Sequence, residues 1–195
     1  MSDFPQKGRK LFIKGNNPSE YAYIGWGEME ARFDAYMIGY KEAADLIIGH
    51  ALSQGDNGTL DSMVFPACFL YRQYLELALK DIYLSNAKVP DVEKIDAIKS
   101  HNLRDIWRKA KNLILADFPN DDKKVLEVVE GNIVEFNERD TKSFAFRYPI
   151  DKTLNLVHDE DEFIDLPNLV ECMDKLANFL SSVRNGMAEN RYHES

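Results

Sequence analysis

Arg72, Glu76 and Lys80 recur at every fourth position within residues 65–80, a stretch that is otherwise mostly apolar. On a helix, steps of four residues drift by only about 40°, so the three side chains form one stripe. Such a stripe is either an exposed ladder of ion pairs or a polar centre. In a polar centre, Arg72 binds a carboxylate or phosphate through two parallel hydrogen bonds while Glu76 holds it. We expect Arg72 and Glu76 to belong to a polar centre and Lys80 to be exposed to solvent.

His101 lies in Ser-His-Asn-Leu (100–103), just before or at the start of the next predicted helix. The segment can simply cap that helix, because serine and asparagine side chains accept hydrogen bonds from free backbone N–H groups. A histidine at this place can also act as an acid or base, or contact a phosphate. His101 is therefore the one candidate for a catalytic residue.

Residues 140–151 supply a third polar group of side chains. Phe144, Phe146 and Tyr148 alternate with smaller or polar residues, which is the period of a β-strand. The alternation predicts a small β-hairpin near 143–157, whose aromatic side chains pack on the helices. Arg147 would then point away from the aromatic face, near Ser143 and Asp140, and we expect Glu76 to be its partner.

The elements that must position these residues are helices. Apolar residues at three- and four-residue spacing predict five helices, over about 28–53, 59–86, 103–116, 121–138 and 166–187, with a loop or short helix in 87–100. The predicted fold class is all-α, a helical bundle with the hairpin inserted. Residues 1–25 are predicted to be an irregular N-terminal segment, residues 26–187 the bundle, and residues 188–195 a C-terminal tail.

Composition excludes several classes of function. A net charge of −9 opposes nonspecific binding to nucleic acid and to anionic lipid. No uncharged apolar run approaches the ~20 residues of a membrane span, and the N-terminus lacks the apolar core of a signal peptide. The two cysteines have no disulfide or zinc spacing. We therefore expect a cytoplasmic protein with no metal and no cofactor.

The three polar segments together resemble a subgroup of the HEPN (higher-eukaryote-and-prokaryote nucleotide-binding) domains. The resemblance rests on residues 69–80, on Ser-His-Asn-Leu (100–103) and on Phe-Arg-Tyr-Pro-Ile-Asp (146–151), and it covers about residues 29–185. It implies a compact helical bundle, a homodimer, and a bacterial defence or toxin–antitoxin setting. Many members are ribonucleases with an arginine, four to six intervening residues, and then a histidine. Here Asn190 stands six residues after Arg184, so that motif is missing.

The resulting prediction is a binding domain for a nucleotide or another phosphate-bearing ligand. Arg72, His101 and Arg147 would contact the phosphate, with Glu76 and Asp140 orienting the arginines and Ser143 nearby. One alternative is a non-catalytic structural or interaction module, in which the same residues form a buried polar network. A second alternative is a ribonuclease that uses His101.

Overall fold

The computed structural model describes residues 4–120, 123–159 and 161–194. They contain a single turn of 3₁₀-helix at Pro18–Glu20 and six α-helices: α1 (Met29–Gln54), α2 (Asn57–Asn86), α3 (Asp91–Ile98), α4 (Leu103–Asp117), α5 (Lys123–Arg139) and α6 (Leu166–Glu194). The predicted all-α class is confirmed. The short helix foreseen as one option for residues 87–100 is α3, and the predicted start of the fourth helix at 121 lies outside the described residues.

Helix α2 lies at the centre of the bundle. Asp56 caps it by accepting a hydrogen bond from the Thr59 N–H at 2.8 Å, and it then runs through Pro66 without a break. It packs along α1 and also against α4 and α6. Buried residues therefore lie on all its faces, among them Tyr71, Leu75, Leu79 and Ile82. The mostly apolar composition of residues 65–80 agrees with this arrangement.

The start of α4 is fixed by two asparagines. Asn102 caps the helix, with its Oδ1 accepting a hydrogen bond from the Asp105 N–H at 3.1 Å. Asn137 of α5 accepts a second one from the Leu103 N–H at 2.8 Å. These bonds satisfy N–H groups that have no partner within the helix, and they hold α5 against the beginning of α4.

The predicted end of the last helix at residue 187 is wrong, because α6 continues to Glu194. Glycine is favoured just past a helix C-terminus, but Gly186 lies inside α6. Its role is different. A Cβ atom at Gly186 would lie 2.9 Å from the ring of Phe118, so glycine allows α6 to pass close to the end of α4. Residues that were predicted to form a tail are helical as far as Glu194.

The predicted β-hairpin at 143–157 is also wrong. The described residues contain no strand, and this segment holds only an isolated bridge between Ile150 and Leu156. Its backbone donors are used in turns: Asp140 Oδ1 accepts from the N–H groups of Phe144 and Ala145. Asp151 Oδ1 likewise accepts from the N–H groups of Thr153 and Asn155. Aspartate side chains here compete with strand pairing for the backbone.

None of the helices in the described part of the chain is both long enough and apolar enough to cross a membrane.

Candidate functional site

Arg72 is completely buried, and its guanidinium group is used to join three parts of the chain. Its Nη1 donates to Glu76 Oε2 at 3.0 Å, one turn along the same helix. Its Nη2 donates to the backbone oxygen of His101, in the connection before α4, and its Nε donates to the backbone oxygen of Asp140 at 3.4 Å, after α5. Arg72 therefore fastens the central helix to both ends of the α4–α5 pair.

Glu76 is the acceptor at the middle of this group. Besides Arg72, it accepts from Lys80 Nζ at 2.6 Å, and its Oε1 lies 2.8 Å from His101 Nδ1. Burial alone would raise the pKa of the Glu76 carboxyl, but its contacts with Lys80, His101 and Arg72 outweigh burial and hold the pKa below its usual value. Glu76 is therefore an anion stabilised by its neighbours.

Lys80 does not point into solvent, so that expectation is wrong. Its side chain is 11% exposed and ion-paired with Glu76. Burial lowers the pKa of Arg72, and the neighbouring carboxylates of Glu76 and Asp140 oppose that change. The buried cation Arg72 and the partly buried cation Lys80 thus lie near two buried carboxylates, Glu76 and Asp140. We call Arg72, Glu76, Lys80, Asp140 and His101 the Arg72 centre. Within it, the two cations balance the two carboxylates.

Asp140 and Ser143 shape the connection after α5. Asp140 Oδ1 accepts the two N–H groups already described, whereas its buried Oδ2 has no hydrogen-bond partner among the described residues. The Ser143 hydroxyl accepts a hydrogen bond from Gln73 Nε2 of α2 at 2.8 Å. Ser143 has a φ of 55°, in the left-handed region. Both residues hold this turn against α2, and both are buried.

His101 lies at the edge of the Arg72 centre. Its backbone carbonyl is bound by Arg72, but its side chain is 65% exposed. Only Nδ1 has a partner within the described residues, and that partner is Glu76. Of the options considered for the 100–103 segment, capping of α4 belongs to Asn102 and not to His101. A carboxylate-bound imidazole with its other nitrogen free can bind a phosphate or exchange a proton.

Arg147 is exposed and lies on aromatic rings. Its guanidinium carbon is 5.8 Å from the centre of the Phe69 ring and 5.5 Å from that of Tyr148. The predicted partner, Glu76, is occupied by Arg72, Lys80 and His101, and no other carboxylate of the described residues pairs with Arg147. An open cleft of about 370 Å³ lies beside it, with Phe65, Tyr148 and His158 also in the walls.

A second arginine joins α6 to α1 and α2. Arg184 Nε donates to Asp81 Oδ2 at 2.6 Å, and its Nη2 donates to Asp34 Oδ1 at 2.7 Å. We call these three residues the Arg184 centre. Asn190, six residues after Arg184, donates from Nδ2 to Asp117 Oδ2 at 3.2 Å. Arg184 and Asn190 thus both serve helix packing.

Comparison of this chain with protein-family models, with curated proteins and with solved structures finds no match. The resemblance to the HEPN domains therefore stays a prediction, and so does everything that it implies about activity, setting and assembly.

The structure brings four predicted residues together in one network: Arg72, Glu76, His101 and Asp140. Ser143 adjoins them through Gln73. Arg147 lies outside the network, although close enough to Arg72 for their charges to repel.

Sequence reasoning missed His158 as a member of the cleft beside Arg147. Its Nε2 lies 3.1 Å from the backbone oxygen of Ala145, and its Nδ1 lies 3.0 Å from Glu162 Oε2. The sequence signal for this contact was the four-residue spacing of His158 and Glu162, which lie within an acidic run.

Proposed function

We propose that this chain is a non-catalytic binding module that takes a nucleotide, or another phosphate-bearing ligand, in the cleft beside Arg147. The observation that carries the proposal is the exposed guanidinium group of Arg147, which has no carboxylate partner in the described part of the chain. A guanidinium group can bind a phosphate through two hydrogen bonds. The aromatic rings beneath it restrict its position.

The aromatic walls of the cleft support a nucleotide in particular. Tyr148 is about half exposed and Phe65 slightly less so, and both line the same space as Arg147. Exposed aromatic rings are surfaces on which a base can stack, at about 1–3 kcal/mol per base. A volume of about 370 Å³ lies within the usual range for small-molecule sites.

Arg72 has a different role in this proposal from the one that the sequence predicted. It is fully buried and its guanidinium group is already bonded on three sides. We infer that the Arg72 centre supports the ligand site from behind, by holding the 140–148 segment and His101 against α2. This role for Arg72 is the one that the alternative prediction of a structural module gave it, as part of a buried polar network that fixes helix packing.

Titration of nucleotides against the purified protein, followed by thermal denaturation, tests the proposal. A ligand that binds only the folded state raises its stability in proportion to the logarithm of ligand concentration. We expect this rise to disappear in Arg147→Ala. Lys142→Ala is the matched control, because it removes an exposed positive charge from the same segment and should keep the rise. The absence of any shift with all common nucleotides, or an equal shift in Arg147→Ala, would contradict the proposal.

RNA cleavage is a second candidate function, and one observation favours it. His101 is exposed and held through Nδ1 by a carboxylate, which is an arrangement suited to acid–base catalysis. The homodimer and the bacterial defence setting implied by the HEPN resemblance also stay predictions.

A further inference from the structure

A second cleft lies between α5 and α6, and Cys68 of α2 contributes to its lining. Its volume is about 240 Å³. Helix α5 packs mainly against α4, and α6 packs against α2, α4 and α1. The connection 140–165 joins α5 and α6, where a short turn would bring the two helices together. The two helices therefore leave a space between them, and Phe146 of the connection forms a wall shared with the cleft beside Arg147.

The lining of the α5–α6 cleft is mainly apolar. Phe136 of α5 faces Leu169 and Met173 of α6 across it. Phe163 and Ile164 also belong to the lining, and Phe163 is 87% exposed. An apolar molecule in the cleft would remove these side chains from water, which is the main source of affinity in such sites.

The polar groups of the cleft select against anions, and its apolar lining disfavours any charged group, because a charge loses its hydration there. Arg139 is neutralised by Glu162, with Nη1 and Oε1 2.6 Å apart. Glu135 and Asp165 add negative charge to the lining. An anion would be repelled here, whereas the cleft beside Arg147 attracts one.

Two side-chain amides remain available for hydrogen bonds. The amide of Asn132 has no hydrogen-bond partner within the described residues. That of Asn168 accepts only a long contact of 3.9 Å from Cys172 Sγ. One amide comes from α5 and the other from α6, and each can both donate and accept.

We propose that the α5–α6 cleft binds an uncharged, mainly apolar small molecule whose single hydroxyl or carbonyl group is held by Asn132 and Asn168. This site goes beyond the proposed nucleotide function and does not depend on it. Its walls include both cysteines of the chain, 104 positions apart in sequence. Cys172 is partly exposed, so it reports whether the cleft is occupied, while Cys68 is buried.

The probe for the test is 2-naphthol, which has one hydroxyl group on an apolar two-ring body. We expect saturable binding by isothermal titration calorimetry. Binding should be lost in Cys172→Phe, which fills the cleft, and kept in Cys172→Ser, the matched control. It should also be kept in Arg147→Ala and should not be displaced by nucleotides. Failure of the nucleotide proposal would leave these outcomes unchanged.

Alkylation of Cys172 by iodoacetamide, followed by mass spectrometry, locates the probe. At a probe concentration of ten times its dissociation constant, we expect the rate to fall about tenfold, because only the unoccupied protein reacts. If Cys172→Phe does not fold, Asn132→Leu decides, with an expected loss of affinity of about five- to tenfold. Absence of binding at millimolar probe, equal binding by the filled or Asn132→Leu variants, or an unchanged alkylation rate would each overturn the proposal.

Discussion

The Arg72 centre and the Arg184 centre both place an arginine against a buried carboxylate of α2, yet the surroundings of the two carboxylates differ. Arg72 belongs to α2 itself and is fully buried. Arg184 comes from α6, and its side chain is a quarter exposed. Glu76 has three partners that donate or carry positive charge, whereas Asp81 pairs, within the described residues, with Arg184 alone and shares it with Asp34.

The pKa values of the two carboxyl groups move in opposite directions as a result. Burial raises the pKa of Asp81, and the contact with Arg184 does not fully offset it because the carboxylates of Asp34 and Glu30 are close. The pKa of Glu76 is lowered in spite of its burial. The comparison shows that the balance of charges around a buried carboxylate, and not the presence of one arginine, decides whether its ionised form stabilises the fold.

Replacement of the two arginines should give the largest difference. Arg72→Met is expected to lower the free energy of unfolding by about 3–5 kcal/mol, because it leaves two carbonyl oxygens without their donor and takes one of its cationic partners from the buried Glu76 carboxylate. Arg184→Met is expected to cost less, about 1–2 kcal/mol, because Asp34 is half exposed and can be solvated, and because the buried Asp81, whose pKa is already raised by burial, can take up a proton. Urea denaturation followed by circular dichroism measures both.

The matched pair of variants makes the result decisive. Each removes one guanidinium group and keeps an unbranched apolar stem, so differences in helix propensity are small. An equal loss in both variants, or a larger loss in Arg184→Met, would show that the Arg72 centre is not the stronger connection between helices.

Most of the fold could be predicted from apolar spacing alone. The long helices have clear three- and four-residue periodicity, and Asn102 caps α4 at its predicted start, whereas α2 begins at Asn57, two residues before the predicted start. The hairpin failed because alternation over 143–148 is a short-range signal, and the Asp140 side chain takes the backbone donors that a strand would need. The end of α6 failed because the close contact between Gly186 and Phe118 is not visible in sequence.

The candidate site was predictable only in part. The four-residue spacing of Arg72, Glu76 and Lys80 gave the i, i+4 ion pairs, because these are local on one helix. The spacing could not show that the backbone oxygens of His101 and Asp140 complete the Arg72 centre, because every residue type has a backbone carbonyl group. For the same reason the prediction placed Arg72, together with His101 and Arg147, in contact with the ligand, although Arg72 is fully buried.

The pH dependence of stability should separate the two centres. The lowered pKa of Glu76 gives stability that is present above its ordinary value of 4.5 and is lost as pH falls through the lower folded value. The raised pKa of Asp81 acts in reverse, so stability falls as pH rises from the ordinary 3.8 toward the higher folded value.

Urea midpoints measured from acidic to neutral pH test these two opposite pH dependences of stability. The proteins to compare are the native protein, Glu76→Gln and Asp81→Asn. Other carboxylates contribute equally to all three proteins, so the informative quantity is the difference from the native curve. We expect Glu76→Gln to reduce the loss at acidic pH and Asp81→Asn to steepen the rise with pH. Parallel curves for all three proteins would refute the assignment.

The smallest effect is expected for His101→Ala. Arg72 binds the backbone carbonyl of residue 101, and alanine keeps that carbonyl. The side chain contributes one contact to Glu76, which retains Arg72 and Lys80. We therefore expect the free energy of unfolding to change by less than about 1 kcal/mol.

Such a variant is well suited to an assay of RNA cleavage, because any lost activity would belong to the imidazole and not to the fold. Equal background cleavage by both proteins would eliminate the ribonuclease alternative, whereas cleavage lost only in His101→Ala would make the exposed edge of the Arg72 centre catalytic.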